Sequence, residues 1–128
     1  MSKRMTLTAL AALPIAFASM GAQAQMARYC DGRVVANSFY SNVQSNGARS
    51  TVVYYVQLQN HSGEPIRYTV RFRAPNTLMP QNGTVMATLA SYQQVTVTLG
   101  SQNFSNPSGT GQLSQADITR FTEVACPR

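Results

Sequence analysis

The 128-residue chain has a single histidine, His61, in the stretch Asn60-His61-Ser62-Gly63-Glu64-Pro65. Histidine, serine and a carboxylate are the parts of a nucleophilic triad. Immediate neighbours on a tight turn, however, do not hold nucleophile, base and orienting acid in line. Acid–base catalysis draws its groups from distant parts of a chain, and after residue 24 the acids number only four: Asp31, Glu64, Asp117 and Glu123. The expectation is a non-enzymatic protein in which His61 is a solvated turn residue. A zinc site needs about four nitrogen, sulfur or carboxylate ligands. A softer copper site could recruit Met26, Met79 or Met86 with His61, but methionines of this kind are more simply core or loop filler. No catalytic residue, metal site or cofactor is therefore expected, and no phosphate-cradling glycine loop is present.

Recognition chemistry is better represented than catalytic chemistry. The string Pro65-Ile-Arg-Tyr-Thr-Val-Arg-Phe-Arg73 alternates apolar Ile66, Tyr68, Val70 and Phe72 with polar Arg67, Thr69, Arg71 and Arg73. A strand sends successive side chains to opposite faces, so burying the apolar set commits the three arginines to solvent or to a partner. Long arginine stems can simply cover apolar surface on a wet sheet face and block edge-to-edge pairing. The preceding segment, Thr51–Gln59, places Tyr55 and Gln57 on its own outward side. A sheet surface carrying arginine, tyrosine and glutamine together is therefore expected, with Arg67, Thr69, Arg71, Arg73, Tyr55 and Gln57 as one candidate binding face, a mixture typical of protein interfaces.

The remaining reactive groups are two cysteines, Cys30 and Cys126. Their use depends on the compartment, which the start of the chain addresses. Lys3 and Arg4 precede a short apolar run from Leu7 to about Ala18, followed by Ala22-Gln23-Ala24. This order predicts a cleaved secretory signal over residues 1–24, with residues 25–128 as one domain. The run is too short for a spanning helix and carries Pro14, so no stable membrane insertion is expected after cleavage. The predicted location is periplasmic or secreted, where a Cys30–Cys126 disulfide is the obvious pairing.

Composition narrows the partners. Residues 25–128 hold eight arginines against the four acids, a net charge of +4, without the dense basic clustering of a nucleic-acid binder. An envelope or secreted protein, or an anionic polymer, is the better expectation. The same span holds 20 serines and threonines and 18 asparagines and glutamines. That richness also suits a structural subunit of a secreted or surface assembly, and it leaves the oligomeric state open. Three N-x-[ST] sequons, at Asn60, Asn82 and Asn103, place their asparagines on expected loops.

The elements that must position these groups are strands. Period-two alternation over Thr51–Gln59 and Pro65–Arg73 marks the two strongest, joined by a turn-forming run that makes them either a hairpin or a pair that switches sheets. Weaker strands are expected over Arg33–Ser41, Gly83–Ala90 and Gln93–Gly100, with loops at Ser45, Ala74 and Ser101–Gln112. The last loop is long enough to be either mobile or functional. Ser114, three residues before Asp117, predicts the start of one short C-terminal helical turn. The expected fold is all-β: an immunoglobulin-like antiparallel β-sandwich of about six or seven strands, closed by the terminal disulfide, with a small Greek-key barrel as the alternative.

Overall fold

The computed structural model describes residues 26–79 and 84–127; the expected signal segment and Asn82 lie outside them. The described chain forms β1 (Ala27–Tyr29), β2 (Val34–Asn46), β3 (Arg49–Asn60), β4 (Ile66–Phe72), β5 (Thr84–Leu89), β6 (Gln94–Phe104), α1 (Gln115–Phe121) and β7 (Thr122–Ala125). Two antiparallel sheets result, one in the order β1-β2-β3-β6 and the other β5-β4-β7.

The alternation of the two strongest strands sets the core. Val52, Tyr54, Val56 and Leu58 of β3 and Ile66, Tyr68, Val70 and Phe72 of β4 are all buried and belong to one cluster with Phe39, Leu89, Val97, Leu99 and Ile118. The Tyr54 and Phe72 rings meet across the layers at 5.8 Å between centroids. Each such side chain contributes about 1.5–3 kcal/mol when withdrawn from water, so the inner faces of the two sheets supply most of the favourable energy. The Tyr54 hydroxyl donates to Gln102 Oε1 and accepts from the Leu113 N–H at 3.0 Å. Burial pushes this phenol above the usual tyrosine range, and the Leu113 bond offsets part of that rise.

Several boundaries differ from the sequence expectation because pairing partners override local preference. Strand β2 extends beyond Ser41 to Asn46 and turns into β3 through Gly47-Ala48, with Asn46 opposite Arg49. Gly47 takes φ +71, a left-handed value suited to this tight hairpin. Strand β6 runs through Ser101, Gln102 and Asn103 to Phe104 because β3 supplies partners as far as Ser50. Gly100 sits where a Cβ would lie 2.8 Å from the Leu78 carbonyl, so only glycine admits the Leu78–Ser101 bridge beside it. The loop after β6 is correspondingly shorter than expected and is held down. Asn106 Oδ1 accepts from the Thr110 N–H at 2.7 Å, Ser41 Oγ donates to Gln112 Oε1 at 2.9 Å, and Ser45 Oγ donates to the Pro107 carbonyl.

Two of these expectations hold in detail. Cys30, in the turn after β1, is bonded to Cys126, just past β7, with Cα atoms 5.8 Å apart; the disulfide therefore ties one sheet to the other. Ser114 caps α1, its Oγ accepting from the Asp117 N–H at 3.1 Å, while Asp117 also pairs with Arg120 at 3.0 Å. Ser114→Ala should lower stability by about 1 kcal/mol in a urea titration, with Ser114→Gly losing less. Equal losses, or none, would mean that the cap does not carry the start of this helix.

Candidate functional site

The six residues of the expected binding face are split by the fold. Tyr55 and Gln57 lie on β3 and Arg67, Thr69 and Arg71 on β4, in different sheets whose inner faces pack together. The two sets consequently point away from one another on opposite outer surfaces. The physical reason is that β3 already has β2 and β6 hydrogen-bonded on its two sides, which leaves no edge for β4. The turn after Asn60 therefore switches sheets and does not close a hairpin.

Asn60 explains how that switch is held, and sequence reasoning read it only as a turn former and a sequon. It is the last residue of β3 and 0% exposed. Its Nδ2 donates to the carbonyls of Glu64 (2.7 Å), Leu89 (3.3 Å) and Ala90 (3.1 Å), and its Oδ1 accepts from the Ser62 N–H and hydroxyl, both at 2.8 Å. One amide thus bonds the β3–β4 crossover to the end of β5. Two of the three sequon asparagines are not on loops as expected, Asn60 being buried at the end of β3 and Asn103 lying within β6, while Asn82 is outside the described residues. Beside Asn60, His61 is exposed and its backbone N–H donates to the Arg33 carbonyl at 2.7 Å.

On the smaller sheet, Arg67 and Arg71 are exposed and Thr69 half-buried. Across the strand from Thr69 stands Met86 of β5, 60% exposed, so an apolar side chain lies on this face beside the threonine that separates the two arginines. Glu123 of β7 is opposite Arg71 in register, yet its carboxylate pairs with Arg73 at 2.9 Å. Arg73 lies just past β4, its backbone N–H bound to the Phe121 carbonyl at 2.8 Å. Both members of that ion pair are more than half exposed, so it is a weak, screened contact. The expected trio reduces to two arginines with no ion-pair partner among the described residues.

The larger sheet presents a different chemistry. Tyr55 stacks on Tyr40 of β2, with centroids 5.1 Å apart and 23° between planes, and Gln57 Oε1 accepts from Ser38 Oγ at 3.0 Å. At the end of this sheet, between the β2–β3 hairpin and the close of β6, a cleft of about 370 Å³ is lined by Arg49, Ser50, Thr51, Asn103 and Ser105 among others. The methionines considered as copper ligands lie on different parts of the chain. Met79 packs against the core, Met86 stands on the arginine face and Met26 precedes β1. Among the described residues no three His, Cys, Asp or Glu side chains gather where a metal ion could be held, and no helix is long and apolar enough to cross a membrane. In comparisons with known proteins, no family model, no curated protein and no solved structure matches this chain.

Proposed function

We propose that the chain is an exported, non-enzymatic binding module, a sandwich of immunoglobulin-like type whose arginine face engages an anionic polymer of the cell envelope. One observation carries this reading: Arg67 and Arg71 stand on either side of Thr69, with exposed Met86 next to it on β5, on a supported sheet, and Glu123, the acid opposite Arg71, is taken by Arg73. A repeating anion can contact both guanidiniums at once while the methionine packs on its backbone, and the packed sheet behind limits the entropy lost on binding. The signal-like start and the disulfide between the layers support the exported location. Four strands facing three, with a bridge across them, support the immunoglobulin-like type.

Retention on an immobilised sulfated polysaccharide tests the reading. The Arg67→Gln, Arg71→Gln double variant should keep the native circular dichroism and elute at distinctly lower salt than wild type, because removing two contacts to a polyanion weakens binding and its salt dependence together. Coelution of the two proteins would remove the arginine face as the binding surface.

A second reading, a subunit of a surface assembly, rests on the strand edges. Strands β5 and β6 border their sheets and contain no charged residue, whereas natural edge strands are commonly protected by charge or proline. A concentration-dependent increase in size during gel filtration supports this alternative; a monomer at tens of micromolar opposes it.

A further inference from the structure

We propose that the outer face of the larger sheet is a second binding site, a platform for a neutral polysaccharide chain. Its rows follow from the register: Gln59 beside Gln94, Ser38–Gln57–Thr96, Tyr40–Tyr55–Thr98 and Thr51 beside Asn103. Between Arg28 on β1 and Arg49 at the hairpin, the outward positions of these strands carry no charged side chain. In a chain with +4 net charge over residues 25–128, the neutrality of a whole sheet face selects against ionic partners and leaves hydrogen bonding and ring packing as its means of recognition.

Hydrogen bonds within the face determine what it offers. Asn37, at the bulge in β2, donates through Nδ2 to Gln59 Oε1 at 2.9 Å and Gln94 Oε1 at 3.1 Å. Ser38 donates to Gln57 Oε1, and Thr51 Oγ1 donates to Asn103 Oδ1 at 2.8 Å. Four amide oxygens are thereby used, which turns the amides so that the NH₂ groups of Gln57, Gln59, Gln94 and Asn103 remain as donors without partners among the described residues. The row extends about 26 Å along β3 from Thr51 to Gln59 at strand rise. Oriented amide donors in a line fit a ligand that presents many uncharged acceptor oxygens, which sugar hydroxyl and ring oxygens do. Midway along the row, the Tyr40–Tyr55 pair supplies an aromatic surface for the C–H face of a sugar ring. The apolar part of this face, the tyrosine pair, Val53 and exposed Leu78 beside Ser101, is bordered by rows of amides and hydroxyls, a mixture that suits a sugar chain better than the apolar centre a protein partner would want.

A cleft opens at the end of the row. Ser50, one of its lining residues, is 2% exposed, and its Oγ has no hydrogen-bond partner among the described residues. Ser50 is on the inward side of β3 with Val52 and Tyr54, so this unpaired hydroxyl faces the interior and not the platform. Thr51 and Asn103 belong both to the row and to the cleft lining, so a chain lying along the face leads into that opening.

Native gel electrophoresis through dextran, galactomannan and hydroxyethyl cellulose, with polygalacturonate as the charged control, tests the platform. At least one neutral polymer should retard the wild-type protein. Tyr55→Ala with Gln57→Ala should weaken that retardation at least tenfold. Thr98→Lys should do the same from an exposed position where folding is not at stake. Arg67→Gln with Arg71→Gln should leave it unchanged, which separates this site from the arginine face. Retardation by polygalacturonate alone, by none of the neutral polymers, or equally in wild type and the Thr98→Lys variant would overturn the proposal.

Discussion

Replacing Cys30 and Cys126 by serine lowers the unfolding free energy by about 2–5 kcal/mol, the largest loss expected from any change outside the sheets. The bridge closes a loop over 96 residues of sequence separation. On the chain-entropy model a loop of roughly 100 residues removes about 4.7 kcal/mol of freedom from the unfolded chain, against a typical net stability of about 5–15 kcal/mol for a whole domain. The folded state loses something as well, because the bridged strands are the weakest: β1 spans three residues and β7 four. Without the tie, both should open before β3, which is paired on two sides. Urea unfolding together with amide exchange checks both parts. Stability should fall in the double variant and equally in reduced wild type, and exchange should rise first in β1 and β7. An unchanged urea midpoint would mean that the bridge does not constrain the chain.

The sequence disclosed which side of each strong strand faces inward, but not which strands are neighbours. Alternation is local, since each residue's face depends only on its place in the strand, and Val52 to Leu58 and Ile66 to Phe72 are buried as it requires. Neighbourhood depends on edges filled from elsewhere in the chain. The partners of β3 are β2 and β6, and β6 begins some thirty residues later, so nothing within residues 51–73 showed that Tyr55 and Arg67 part company. In β2 even the local signal is broken. The bulge between Ala36 and Ser38 shifts the inward set from Val34 and Ala36 to Phe39, and it is this bulge that brings the Asn37 amide to two glutamines. The neutral face was present in the composition as an excess of amides and hydroxyls; its order became visible only through cross-strand register.

Asn60 was the least legible residue and is the site of the second large effect. Asn60→Ala should destabilise the protein by about 3 kcal/mol or more, since it leaves the carbonyls of Glu64, Leu89 and Ala90 and the Ser62 N–H without this partner at a wholly buried position. Asn60→Asp separates a polar requirement from a space-filling one, because it keeps the shape and the Oδ1 acceptor but turns the NH₂ donor into an oxygen. At neutral pH that oxygen shares a negative charge and confronts three carbonyl oxygens, so the loss should be at least as large as for alanine. Burial and those carbonyls would hold the introduced carboxyl's pKa above its unfolded value of about 3.9. Between about pH 3.9 and the folded pKa the folded state then binds more protons than the unfolded one, so the carboxyl's contribution to stability falls as pH rises through that window. Measured as the difference from wild type in urea unfolding at each pH, the penalty of Asn60→Asp should shrink on acidification while the penalty of Asn60→Ala stays constant. A penalty independent of pH, or smaller than about 1 kcal/mol in both variants, would show that the crossover between the sheets is held by its turn alone and not by the Asn60 amide.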